Sequence, residues 1–226
     1  MNQHWRNHYN ENAKSHSLLK QVEKTVMGNE IGQDQFEMIV RTILNNLNIT
    51  KKDCFLDLCC GNGLITNLIA EKAGNSVGID FSENMISVAT TSKHISEVDY
   101  VVQDITALDQ QFISKFNKFN IYEGIQYLNE NVFIDLLSKI NLSRDSFTFF
   151  IGGIPDVEKL SNFYDTEEKM AFYKERESIG KPHLGRWWHK HELQDIANNC
   201  NLHIRFIDQH KSLYTSYYRF DCLIWK

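Results

Sequence analysis

Residues 55–72 read FLDLCCGNGLITNLIAEK. Phe55 to Leu58 is an apolar run interrupted by Asp57, Cys59 to Gly63 is a glycine turn, and apolar residues recur at helical spacing from Leu64. The stretch predicts strand, turn, helix. The same texture continues downstream: NSVGID reads as a strand, SENMISVATTSK as a helix and VDYVVQD as a strand. Strands alternating with helices predict a parallel sheet covered on both faces.

Working outward, the first fifty residues read as a helical cap, with SLLKQVEKTVM and DQFEMIVRTILNNLNI as two helices separated by GNEIG. After the third strand, FNKFNIYEGIQYL supplies a fourth strand and a loop, and ENVFIDLLSKI a helix. SFTFFIGGIP is a fifth, buried strand, ended by Gly152, Gly153 and Pro155. A polar and aromatic stretch then runs to His189 with no strand. The helix KHELQDIANNC follows, and then LHIRFIDQ and YYRFDCLIW, strands too close in sequence for a crossover helix and therefore antiparallel neighbours. The expectation is a single domain over 1–226: a cap (1–50), a core (51–155), a lid insertion (156–189), and a C-terminal helix with paired strands (190–226).

Composition narrows the partners. The net charge is −5 with no basic run, so nucleic acid is not expected. No window approaches the roughly 18 apolar residues of a membrane span. The polar start lacks a secretory apolar centre, which makes the cytoplasm the expected compartment. Cys54, Cys59, Cys60, Cys200 and Cys222 form neither a CxxC pair nor a zinc spacing, so reduced, buried thiols and no metal are expected.

Two readings compete for LDLCCGNG. A dinucleotide turn has a third glycine, where this chain has Thr66, and its pyrophosphate would be opposed by Asp57 just before the turn. A cofactor with an ammonium group and no phosphate suits that carboxylate better. S-adenosylmethionine is such a cofactor. Asp80 ends the second strand, where an acidic residue accepts ribose hydroxyls, and Asp104 ends the third, where it can accept from an adenine amino group. Ile105 with Phe81 or Met85 can flank the ring. Taken singly, each Asp also fits a turn or helix cap.

FLDLCCGNGLIT, VGIDFSENMI and VVQDI together resemble the first three motifs of class I S-adenosylmethionine-dependent methyltransferases, with the cap common in small-molecule members. The resemblance implies a Rossmann-like α/β fold: a seven-stranded, mostly parallel sheet with an antiparallel last strand and helices on both faces. It also implies that the methionine portion lies against Gly61 and Gly63, the ribose on Asp80, and the adenine beside Phe81, Asp104 and Ile105. Glu123 takes the place of the polar residue that faces the sulfonium, and Tyr9 resembles a cap aromatic that reaches the cofactor's carboxylate.

The lid segment holds the expected acceptor residues, since a connection this long is where specificity resides. Lys181, His183, Arg186 and His189 can hold a phosphate, a carboxylate or a nucleotide. Tyr127, Trp187 and Trp188 can wall the pocket, one tryptophan pinning the insertion to the sheet. For a hydroxyl acceptor that must lose a proton, His183 is the first candidate base and His189 the second. GRWW and the closing YRFD resemble methyltransferases of surface-polysaccharide and sugar-nucleotide biosynthesis, which implies a sugar nucleotide or phosphorylated metabolite as acceptor. A homodimer is compatible with this reading. The alternatives are a protein methyltransferase, a silent cofactor-binding subunit and a nicotinamide oxidoreductase.

Overall fold

The chain is described by a computed structural model covering residues 3–92 and 98–226. In chain order its first elements are α1 (Gln3–Asn12), α2 (Leu18–Gln21), the hairpin β1 (Thr25–Val26) and β2 (Asn29–Glu30), and α3 (Gln33–Leu47). The core follows as β3 (Cys54–Leu58), α4 (Leu64–Ala70), β4 (Asn75–Asp80), α5 (Glu83–Ser92), β5 (Val98–Val102), α6 (Gln110–Ile113), β6 (Lys118–Tyr122), α7 (Glu130–Ser143) and β7 (Thr148–Pro155). The insertion carries α8 (Leu160–Phe163) and α9 (Glu167–Ser178), and the chain closes with α10 (Lys190–Asn199), β8 (His203–Asp208) and β9 (Arg219–Trp225).

The seven-stranded sheet has the order β5-β4-β3-β6-β7-β9-β8. β3 to β7 pair in parallel, and β9 lies antiparallel between β7 and β8. This is the expected mixed sheet. Its two faces are covered as the apolar strands require. Phe119, Phe149 and Ile224 belong to a core with α7 and α10, whereas Phe55, Phe150 and Leu223 belong to one with α3 and α4. The order reverses between β3 and β4 on one side and β6 on the other, the switch point where open sheets bind ligands at their carboxyl ends.

Three expectations need correction. The helix read over SLLKQVEKTVM stops at Gln21, because Glu23 and Met27 take left-handed backbone and the chain turns through Gly28 into the β1–β2 hairpin. An earlier helix, α1, precedes it. The fifth strand does not end at its glycines: β7 passes through a register shift between Ile151 and Ile154 and continues to Pro155. Gly153 has φ +66°, and its N–H reaches Asp221 on β9 at 2.8 Å, so the bulge is stapled by the neighbouring strand. The end of the SENMISVATTSK helix, Lys93, lies outside the described residues. Among the described residues no helix is long and apolar enough to cross a membrane.

Candidate functional site

The turn from Cys59 to Gly63 depends on left-handed backbone: Cys59, Gly61 and Gly63 have φ of +55°, +56° and +75°. At Gly63 a Cβ would come within 2.5 Å of the Tyr100 hydroxyl, and at Gly61 it would meet Val22, so glycine answers both conformation and space. Asp80 ties the turn to β4. Its two carboxylate oxygens accept from the Gly61 and Ser82 backbone N–H groups at 3.0 and 2.9 Å. Burial pushes its carboxyl up to about 6, against those hydrogen bonds. Each oxygen keeps acceptor capacity for a further donor.

Asp57 is held by the protein's own donors. It lies inside β3, 2% exposed, and accepts from Thr66 Oγ1 at 2.5 Å and Asn120 Nδ2 at 2.7 Å. Burial pushes its carboxyl up to about 6 as well. The two residues that break the dinucleotide pattern therefore bond to each other, clamping the first turn of α4 to the sheet. Asn120 was open to sequence reading as the one amide in the apolar strand KFNIY. Burial also pushes the Cys59 and Cys60 thiols up, which keeps them protonated and inert.

The N-terminal segment closes over this end of the sheet. Asn62 in the turn donates to Leu18 O and Gln21 Oε1, both at 2.8 Å. Asn10 on α1 accepts from Ser82 Oγ at 2.7 Å, and its carbonyl accepts from Asn84 Nδ2 at 2.9 Å. Tyr9 packs edge-on to Phe81 with ring centroids 6.5 Å apart, and its hydroxyl lies 2.6 Å from that of Tyr127. Phe81 is 3% exposed, with the Arg6 guanidinium 5.7 Å from its ring centre, and Arg6 also reaches within 3.9 Å of Asp104. One Asp104 oxygen is held by the Thr106 N–H and hydroxyl, as in a turn cap. Met85 and Ile105 are buried, Met85 completely.

Glu123 sits just past β6, with φ +53°. Its Oε2 forms an ion pair with Lys24 from the cap, whose ammonium lies 4.6 Å from the centre of the Tyr122 ring. Neither Lys24 nor its pairing was legible in sequence. Arg219 was, as a charged residue inside the apolar strand YYRFDCLIW; its guanidinium is buried and donates to Gly153 O.

The lid distributes its residues differently from expectation. A cleft of about 660 Å³ runs between α1, the loop after β6 and the lid, lined among others by Trp5, Gln126, Tyr127, Arg186 and Trp187. Trp188 is corrected from pocket wall to core. It is fully buried and edge-on to Phe133, and its N–H and C=O bond to Pro155 and Val157, which extends β7 into the lid. Arg186 borders the cleft, but its guanidinium is held by Glu192 at 2.9 Å and Glu130 at 3.3 Å and lies over Trp188. His189 caps α10, its backbone N–H bonding to Glu192 and its ring facing His191, a structural post unsuited to the base role. His183 stands at the exposed rim of an aromatic cluster, its Nδ1 3.3 Å from the Tyr164 hydroxyl, and burial lowers its pKa. Among the described residues no group of three or more His, Cys, Asp and Glu could hold a metal ion.

Comparison with known proteins adds likenesses of sequence and fold. Residues 49–147, which carry the glycine turn and all three strand-end carboxylates, match the family described as "Methyltransferase domain". This stretch, a little under half of the chain, is similar to a methyltransferase domain. Among curated relatives, malonyl-[acyl-carrier protein] O-methyltransferase of Bacillus cytotoxicus is 28% identical over 66% of this chain and 52% of its own length. Demethylmenaquinone methyltransferase of Staphylococcus carnosus is 28% identical over 54% of this chain and 53% of its own. The chain thus spans about half the length of these curated relatives. The methyltransferase fold extends further than the sequence match. The magnesium protoporphyrin IX methyltransferase of Synechocystis PCC 6803, solved with bound SAH, superposes with a TM-score of 0.63 at 13% identity, over 99% of this chain and 94% of that one.

Proposed function

We propose that this methyltransferase domain transfers the methyl group of S-adenosylmethionine to a hydroxyl or amine of a small molecule, the acceptor being a sugar nucleotide or other phosphorylated metabolite of surface-polysaccharide biosynthesis. The observation that carries the cofactor reading is Asp80: a buried carboxylate at the switch point, fixed by two backbone N–H groups of which one belongs to the glycine turn. The ribose hydroxyls supply the donors that its remaining lone pairs lack. Gly61 and Gly63 give the turn the left-handed backbone that aims its N–H groups past β3, and Phe81 and Ile105 offer apolar walls for an adenine.

The cofactor, when bound, supplies an already activated methyl group, so the work left to the chain is orientation and exclusion of water. Asp80 holds the nucleoside end. Tyr9 on α1 and Tyr127 in the loop after β6, joined by their hydroxyls, close the roof, and Trp187 of the lid and Gln126 of that loop shape the way in. The cleft of about 660 Å³, bordered by the helical cap and the lid, supports a small acceptor, and the phosphorylated acceptor rests on the likeness of GRWW and YRFD to polysaccharide-locus methyltransferases.

Isothermal titration with S-adenosylhomocysteine and with NAD tests the cofactor. Binding of the first and not the second is expected. Asp80→Ala is expected to weaken it by about 1.5–3 kcal/mol, roughly ten- to hundredfold, through the loss of a charged hydrogen-bond acceptor; near-normal affinity would remove Asp80 from the site. Labelled methyl transfer to a panel of nucleotide sugars and sugar phosphates tests the acceptor. Cofactor binding with no transfer to any of them would favour a silent subunit or a different acceptor class.

A further inference from the structure

Next to the cradle, a second buried cluster holds polar groups that the protein itself leaves unanswered. Glu123 keeps left-handed backbone, uncommon for a residue with a side chain and concentrated at functional positions. Its Oε2 meets Lys24, while its Oε1 is buried and accepts nothing. Across from it, Arg219 is 4% exposed. The guanidinium lies 5.0 Å from the Tyr218 ring centre and donates to Gly153 O, its Nε has no partner, and among the described residues no carboxylate forms an ion pair with it. The hydroxyls of Tyr122 and Tyr214 are also buried and unpartnered, and both residues interact electrostatically with Glu123 and Arg219. Burial pushes both phenols up, so they remain protonated donors. Asp221, the remaining carboxylate that acts on the guanidinium, has its Oδ1 committed to the Gly153 N–H and Gln209.

Buried polar atoms are nearly always paired, so several orphans in one cluster describe the ligand they await. The orphans here are three donors, one of them on a cation, and a single carboxylate oxygen. Their complement is a molecule with anionic oxygens and one hydroxyl or amino group. We infer that Arg219, Tyr122 and Tyr214 form an oxyanion subsite for a phosphoryl or carboxylate group of the methyl acceptor, and that Glu123 Oε1 receives a hydrogen bond from a hydroxyl or amine of the same molecule. The inference rests on the acceptor site proposed above and moves its anion recognition from the lid cations to the sheet. Arg186 is already neutralised by two glutamates, and Lys181 is exposed. A guanidinium removed from water, with no carboxylate of the described residues in ion-pair reach, binds an oxyanion far more strongly than a surface lysine does.

The test titrates inorganic phosphate and malonate separately into the full chain saturated with S-adenosylhomocysteine. Binding of phosphate marks a phosphoryl-bearing acceptor and binding of malonate a carboxylate-bearing one. Arg219→Gln is expected to weaken whichever probe binds by roughly tenfold or more, as loss of a charge-assisted pair requires. Affinity for S-adenosylhomocysteine should change by less than about twofold, since Asp80 and the glycine turn are untouched. Should Arg219→Gln fail to fold, the Tyr122→Phe, Tyr214→Phe double variant removes two donors while keeping both rings, and it must also weaken the probe. The subsite is overturned if the cofactor-loaded protein binds neither anion, or if these variants bind them as well as the parent does. Failure to bind S-adenosylhomocysteine at all is a separate outcome that sinks the cofactor reading and the subsite with it.

Discussion

At the residue scale, Asp57 illustrates how a carboxylate can carry a family signature while its work is structural. Its charge is taken up by Thr66 and Asn120, and it joins β3, β6 and α4 at the point where the chain leaves the sheet for the glycine turn. Thr66→Val keeps the shape and removes one donor from a buried carboxylate, which should cost about 1–3 kcal/mol in urea unfolding. The sign with pH follows from the raised carboxyl. A native value of about 6 lies above the unfolded one, so the native state binds the extra proton and stability falls as pH rises from about 4 to about 6, then levels. Thr66→Val raises that native value further and extends the fall. Its destabilisation relative to the parent should therefore be larger at pH 8 than at pH 5; equal losses at the two would mean that Asp57 is not the partner that matters. Thr66 and Asp57 were both singled out in the sequence, but as witnesses to a ligand. That they witness each other follows from a hydrogen bond across nine residues, which no local pattern encodes.

At the element scale, α1 and α2 are held onto the cradle by polar contacts, and such contacts open more readily than packed apolar ones. Asn10 grips Ser82 and Asn84 at the start of α5, and Asn62 grips α2. Asn10→Ala should loosen α1, seen as faster amide exchange over residues 3–12, and should weaken S-adenosylhomocysteine binding by a few-fold, on the order of the 0.5–1.5 kcal/mol that a hydrogen bond contributes. Unchanged exchange in α1 would show that Trp5 and Tyr9 hold it unaided. The cap was legible as helical from its apolar spacing, most clearly over α3. The stop of α2 at Gln21 was not, because it is set by Asn62 and Val22 meeting the glycine turn and by the burial of Lys24 against Glu123, contacts that span about forty to a hundred residues of sequence.

At the scale of the whole molecule, the lid is continuous with the sheet. Trp188 extends β7 by pairing with Asp156 and fills the core beneath α7 and α10, while Trp187 beside it faces the cleft. Trp188→Ala should therefore lower stability by about 3–5 kcal/mol, as expected for a fully buried aromatic, whereas Trp187→Phe, which keeps an aromatic ring in the small cluster with Tyr164 and Tyr218, should cost clearly less and act on acceptor binding. A similar loss of stability in both would mean that Trp187 serves packing rather than the cleft.

The sequence by itself determined the layered α/β fold, the antiparallel closing pair and the position of Asp80 at the end of its strand. These follow from hydrophobic period, turn residues and connection length, which are local quantities. Only the tertiary structure decided which charges remain available. Asp57, Arg186 and His189 are occupied by partners brought in by folding, and Lys24, Glu123 and Arg219 meet from the cap, the central strand and the last strand. Burial and pairing are properties of the assembled chain, since a side chain's desolvation and its partner are both fixed by elements distant in sequence. The three tyrosines and the arginine of YTSYYRF look alike as text; packing against β7 is what buries the guanidinium and, among the described residues, keeps every carboxylate out of ion-pair reach.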